Sequence, residues 1–205
     1  MIAKLTARPP LQERSRLRVS LILQAAEALL HSEGLSRFSI PVLAEQLGYP
    51  RATIYKFFPT PYALLSTLAE RHLEALEKVL YSQAKDLIKV ADWRGVTRRM
   101  VEAAAGYYQQ QPVACILLLG GPVTDDSHRS LEYTINRLGK LTHEMLQQAG
   151  LKLAEHPYEA ALVIEYGTAS FRLSYFLHQT ITPEYIEVAG DVMIAFIEKR
   201  LKLSA

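Results

Sequence analysis

The chain has 205 residues, 49% hydrophobic and 21% charged, a balance that suits a folded globular protein and excludes extensive disorder. Its single cysteine, Cys115, excludes an intramolecular disulfide and a multi-cysteine zinc site, and the longest apolar run, VACILLLGGPV, is far short of the roughly 20 residues of a membrane helix. The formal net charge of +2 is split unevenly: residues 1–58 hold eight Lys/Arg against four acids and the remainder 15 against 17, a basic head on a faintly acidic body that fits a polyanion-binding end. A basic N-terminus without the apolar core of a signal peptide predicts a cytoplasmic protein with no membrane partner.

Residues 1–15, with Pro9-Pro10 and no periodicity, read as a flexible basic arm. From about 16, Leu21/Ala25/Leu29 and Ile22/Ala26/Leu30 recur at helical spacing and stop at Gly34. Ser39 before Ile40-Pro41 marks a capped helix start, and Gly48 ends that helix. Tyr49-Pro50 holds an extended residue ahead of a short third helix, about 51–57. Pro59-Thr60-Pro61 breaks the chain again and opens a long helix to about 84, striped by Leu64, Leu68, His72, Leu76 and Val79. Helical patterns follow at about 92–110, 113–120, 126–149, 157–179 and 184–202, with no alternating strand pattern. The expected fold is all-α with about nine helices. Its domains are the arm, a first helical domain over 16–60, a connecting helix over 61–84 and a second domain over 85–205.

The segment GYPRATIYKFF crowds two cations, a hydroxyl and several aromatics into two helical turns. Two short helices with a tight turn between them, the second one polar, describe a helix-turn-helix. Ala44 lets the helices approach, Gly48 supplies the positive φ of the turn, and the branched Ile54 packs back on the preceding helix. Arg51, Ala52, Thr53, Tyr55 and Lys56 are then left outward. In a major groove Arg51 suits guanine and the methyls of Ala52 and Thr53 suit thymine, while Tyr55, Lys56 and the Ser39 hydroxyl suit phosphates. Simple solvated charge is the alternative for Arg51 and Lys56. Phe57 and Phe58 are expected in the core.

The stretch SIPVLAEQLGYPRATIYKFF followed by a loop and ALLSTL resembles the DNA-binding domain of the TetR family of transcriptional regulators. The C-terminal helices, ending in TPEYIEVAGDVMIAFIEKRL, look like that family's ligand-binding and dimerisation domain. The resemblance implies a homodimer that represses a promoter from a double-stranded DNA operator and lets go when a small-molecule effector binds. Two departures stand out: Pro50 replaces the common serine cap of the recognition helix, and Pro61 replaces the common lysine at the start of the fourth. A lost phosphate contact at 61 should weaken binding unless Arg14, Arg16 and Arg18 compensate.

In the body, a small-residue stripe of Gly167, Ser170 and Ser174 and an apolar stripe of Ile186, Ala189, Met193, Ile197 and Leu201 are candidates for a dimer interface, or for internal packing. Trp93, Tyr107, Tyr108, Tyr133, Tyr166 and Tyr175 can line an apolar pocket while orienting a ligand, though each is also ordinary core material. Cys115 and His143 are weaker pocket candidates. Arg172, inside the run TASFRLSYFL, either faces an acidic ligand or pairs with Glu165 across a dimer. Asp125, Asp126 and His128 stand close together, but acids after GGPV are what a helix N-terminus attracts, so no metal is expected. HExxH, GxSxG, GxGxxG and P-loop motifs are missing, and neither an enzyme nor a cofactor is expected. An effector-independent DNA-binding dimer, or a small helical enzyme or carrier, are the alternatives.

Overall fold

The computed structural model describes residues 13–120, 125–151 and 159–204. Most of the expected arm, Gly121, Pro122 and the segment 152–158 lie outside the described residues, as do the side chains of Asp125, Asp126, His128 and Leu201. The described residues form nine helices and no strand: α1 (Glu13–Glu33), α2 (Ile40–Leu47), α3 (Arg51–Phe57), α4 (Pro61–Lys89), α5 (Trp93–Gln110), α6 (Pro112–Ala114), α7 (Asp125–Gln148), α8 (Glu159–His178) and α9 (Pro183–Ser204). A 3₁₀ turn, Leu35–Arg37, follows α1, and α6 runs on as a π-helix over Cys115–Leu119. None of the described helices is long and apolar enough to cross a membrane.

One compact unit holds α1 to α3, the start of α4 as far as His72, and residues 112–117. Its core packs Ile22, Leu23, Ala26, Leu29 and Leu30 of α1 against Ile40 and Leu43 of α2, Ile54 of α3, and Leu64 and Leu68 of α4. The buried face of α1 is therefore centred on Ile22 and Ala26, whereas Leu21 is exposed. Of the two stripes expected on this helix only one is fully inside, because a 21-residue amphipathic helix offers about 100° to its core. The helix also begins at Glu13, three residues before the expected start, and so carries Arg14, Arg16 and Arg18 as exposed helical residues. Val113 joins this core although it lies forty residues beyond His72, an arrangement with no local signal in the sequence.

The other unit holds the rest of α4 with α5, α7, α8 and α9. Here α9 packs along α8 and against α5, and α7 packs along α8. Gly139 of α7 lets the backbones meet: a Cβ there would lie 3.0 Å from Ala161 Cα. Two ion pairs tie α5 to α9, Arg94 to Glu198 at 2.8 Å and Arg98 to Asp191 at 2.7 Å, both exposed and each worth at most about 1 kcal/mol. A more enclosed pair, Arg137 with Glu77, joins α7 to α4.

Candidate functional site

The turn between α2 and α3 is built by three consecutive decisions of the chain. Ser39, extended at φ −153° and ψ 152°, caps α2 by accepting from the Val42 amide at 3.4 Å, and Pro41 sits in the first turn. Gly48, at φ 63° and ψ 27°, closes the helix: its amide reaches Glu45 O at 3.1 Å and the Tyr49 amide reaches Ala44 O at 2.9 Å. These are the paired bonds of a Schellman ending, which needs a left-handed residue at this point. Pro50 then starts α3 with its carbonyl accepting from Thr53 N at 2.8 Å, and no side chain caps the helix.

Of the seven residues of α3, only Ile54 and Phe57 are buried, and Phe58 just beyond is buried too. These three fix the helix to the core and leave its remaining surface outward. Arg51, Ala52, Tyr55 and Lys56 are exposed and Thr53 is half-buried. Arg51 and Tyr55 are four apart and share one side, as do Ala52 and Lys56. Ser39 is half-buried at the head of α2. The fourth helix starts as its sequence implies, with Thr60 Oγ1 accepting from the Ala63 amide at 3.0 Å and Pro61 in the first turn.

The body holds a cavity of about 40 Å³ walled by α4, α5, α7, α8 and α9. Of the eight residues proposed for a pocket, Tyr108 alone lines it, edge-on to Phe171 with ring centres 6.2 Å apart. Tyr107 packs edge-on to Tyr108, Tyr166 leans outward on Phe196, and Trp93 stacks under the Arg94 guanidinium at 4.4 Å. His143 and Tyr175 are half-buried outside the wall. Cys115 is buried in the π-helix, where desolvation pushes its thiol up to about 11. Arg172 does not line this cavity: its Nε donates to Leu119 O at 3.1 Å, at the end of the π-helix. The actual wall, with Met100, Val101 and Ala104 on α5 and Ile164, Thr168 and Phe171 on α8, is visible in the sequence as helical stripes that core packing would equally produce.

The stripes expected at a dimer interface are taken up inside the chain. Ala189, Met193 and Ile197 are almost fully buried, and a Cβ on Gly167 would lie 2.6 Å from Met193 Sδ. Ser174 is buried with its hydroxyl donating to Thr180 O at 2.9 Å, and Ser170 and Ile186 are half-buried. Small residues opposite a methionine let α8 and α9 approach each other, so the stripe is spent on that contact. Elsewhere on these helices α8 exposes Tyr166, Leu173, Phe176 and Leu177, and α9 exposes Val188 and Val192. Phe176, at 76% exposure, is an outlier for a large aromatic. Among the described residues no group of three or more His, Cys, Asp or Glu is placed to hold a metal.

Comparison with known proteins agrees with this geometry. Residues 22–68 match the family described as bacterial regulatory proteins, tetR family. A nucleoid occlusion factor, SlmA, of a Marinomonas species is 24% identical over 142 residues, 66% of this chain and 69% of that protein. An HTH-type transcriptional repressor of Mycobacterium tuberculosis is 27% identical over 108 residues, 53% of this chain but only 40% of that protein. Among solved structures, a TetR-family transcriptional regulator from Streptomyces coelicolor superposes with a TM-score of 0.69 at 19% identity, covering 89% of this chain and 99% of that one. The multidrug binding protein EbrR, complexed with imidazole, superposes with a TM-score of 0.67 at 17% identity, covering 88% of this chain and 89% of that one.

Proposed function

We propose that this chain, which belongs to the TetR family of DNA-binding transcriptional regulators, is a cytoplasmic homodimeric repressor that reads a palindromic operator with α3 and releases it when a small molecule enters the body. The observation that carries the reading is the division of α3: Ile54 and Phe57 are buried, while Arg51, Ala52, Tyr55 and Lys56 face out. A helix held this way presents its N-terminal residues to base edges, with Arg51 bidentate to guanine and Tyr55, Lys56 and Ser39 on phosphates. Two copies are needed to read two half-sites. The exposed apolar face of α8 and α9 is the surface they share in this reading, in place of the Ala189–Met193–Ile197 stripe.

The test is selection of genomic fragments by the purified protein, followed by titrations at several salt concentrations. Arg51→Ala is expected to cost about 1–3 kcal/mol at the cognate site and to relax the preference at one base position. Tyr55→Ala is expected to weaken all sequences evenly. Weak, sequence-blind binding that neither substitution changes would sink the reading.

One observation favours a second reading. A cavity of about 40 Å³ has room for a water or two, whereas small-molecule sites run to roughly 300–1,000 Å³. An effector-independent DNA-binding dimer needs no larger space. The likeness in fold to a multidrug binding protein supports the effector reading. A ligand that both raises the melting temperature and frees DNA decides between them.

A further inference from the structure

Among the described residues, the wall of the body cavity contains no Lys, Arg, Asp, Glu or His. Its hydroxyl-bearing side chains are Tyr108 and Thr168, and the rest of the lining is aliphatic, aromatic or thioether, with the one bare position at Gly167. An ion brought here would lose its hydration and meet no opposite charge, a cost of several kcal/mol that shape complementarity does not offset. Arg172, next in sequence to the lining residue Phe171, is not part of the wall, and its Nε donates to the Leu119 carbonyl.

The volume of about 40 Å³ also restricts what fits: for a ring-sized ligand something in the wall has to move. Met193 is the residue built to do so. Its sulfur fills the space that a side chain on residue 167 would need, 2.6 Å from the position of a Cβ there. An unbranched thioether with three rotatable bonds re-packs at low cost, and Met100 stands in the same wall. Met193 swinging aside exposes the bare backbone of Gly167, with Thr168 next to it in the chain and the Tyr108–Phe171 pair in the same lining.

Resting on the effector-responsive reading above, we infer that the effector is an uncharged, compact and largely apolar molecule with a hydroxyl or carbonyl group, admitted to this cavity by displacement of the Met193 side chain. Thr168 is the lining hydroxyl that orients its polar end. Carboxylates and amines of the same shape are refused.

Cyclohexanol, cyclohexanecarboxylate and cyclohexylammonium present one ring with three charges. Each is titrated against the full chain, alone and bound to a selected DNA fragment, reading the melting temperature and the fluorescence anisotropy of the DNA. Cyclohexanol is expected to raise the melting temperature saturably by a few degrees and to release DNA, with the two ions inert. Ala104→Leu narrows the cavity and is expected to move the alcohol midpoint at least tenfold upward, with its helical melt as the check that it folds; Thr168→Val serves where it does not. Met193→Ala is expected to move the midpoint the other way. Release of DNA by the carboxylate or the ammonium with the alcohol silent overturns the ligand class and leaves the effector reading standing. An alcohol shift that Ala104→Leu suppresses, with DNA still bound, upholds the cavity chemistry and overturns the effector reading. No shift that depends on residue 104 overturns the cavity assignment itself.

Discussion

A cavity-free left-handed glycine gives the cleanest expectation at the residue scale. A Cβ added at Gly48 meets nothing within 4 Å, so Gly48→Ala is charged only the cost of holding an L-residue at φ 63°, about 1–2 kcal/mol, and Gly48→Asn less. Urea unfolding of the three proteins measures that difference. Ile54→Ala, at a fully buried site, is expected to cost about 2–5 kcal/mol by the same assay, and to weaken DNA binding because α3 loses its anchor. His72 gives a dependence on pH. Burial lowers its pKa below the ordinary 6.5, and Arg71 pushes the same way, while Glu27, 3.3 Å from Nε2, opposes them. The folded protein thus binds this proton less tightly than the unfolded chain does. The stabilisation from neutral His72 is fully present above pH 6.5 and declines as the pH falls below it. Unfolding midpoints at pH 7.5 and 5.5 should therefore separate more for the wild type than for His72→Gln.

At the scale of elements, what the chain announces is what local chemistry enforces. The start of α2 at Ser39-Ile40-Pro41, its end at Gly48, and the start of α4 at Thr60-Pro61 all follow from caps and prolines, which act within four residues. The outward set on α3 follows once Ile54 is placed inside. Faces that depend on distant partners were less legible. Leu21 and Ile22 are equally apolar, and only the position of α2 and α4 decides that Ile22 is buried and Leu21 is not. The same ambiguity misdirects the Gly167 and Met193 stripes, since two helices of one chain and two helices of two chains ask for the same small and apolar residues. Residues 112–117 belong with the first unit although residues 73–111 separate them in sequence from its other members, a pairing that no short window of sequence contains.

At the scale of the whole molecule, the exposed apolar side chains of α8 stand apart from the inner packing. Phe176, Leu177 and Leu173 stand in solvent on α8 and contribute little to the fold of one copy. Phe176→Glu is expected to leave the melting of a dilute sample nearly unchanged and to weaken self-association by about 2 kcal/mol, roughly thirtyfold in the dimer constant. Sedimentation across a concentration series measures it, and a dimer unaffected by Phe176→Glu and Leu173→Glu would place the shared surface elsewhere. Under the proposed reading of two half-sites by two copies, DNA affinity should fall with it.

Cys115 has a use beyond packing. It is the one sulfhydryl in the chain, enclosed in the π-helix, with its ionisation held up at about 11. Only the thiolate reacts with disulfide reagents, so at pH 8 roughly one thiol in a thousand is competent even before access is considered. An unfolded cysteine, with a pKa near 8.5, is hundreds of times more reactive. Modification of the native protein therefore proceeds through excursions that unwrap this short segment, and its rate divided by that of an exposed thiol is the equilibrium constant of the excursion. A colorimetric thiol reagent then becomes a clock for breathing at a single helical turn, read without any label or substitution.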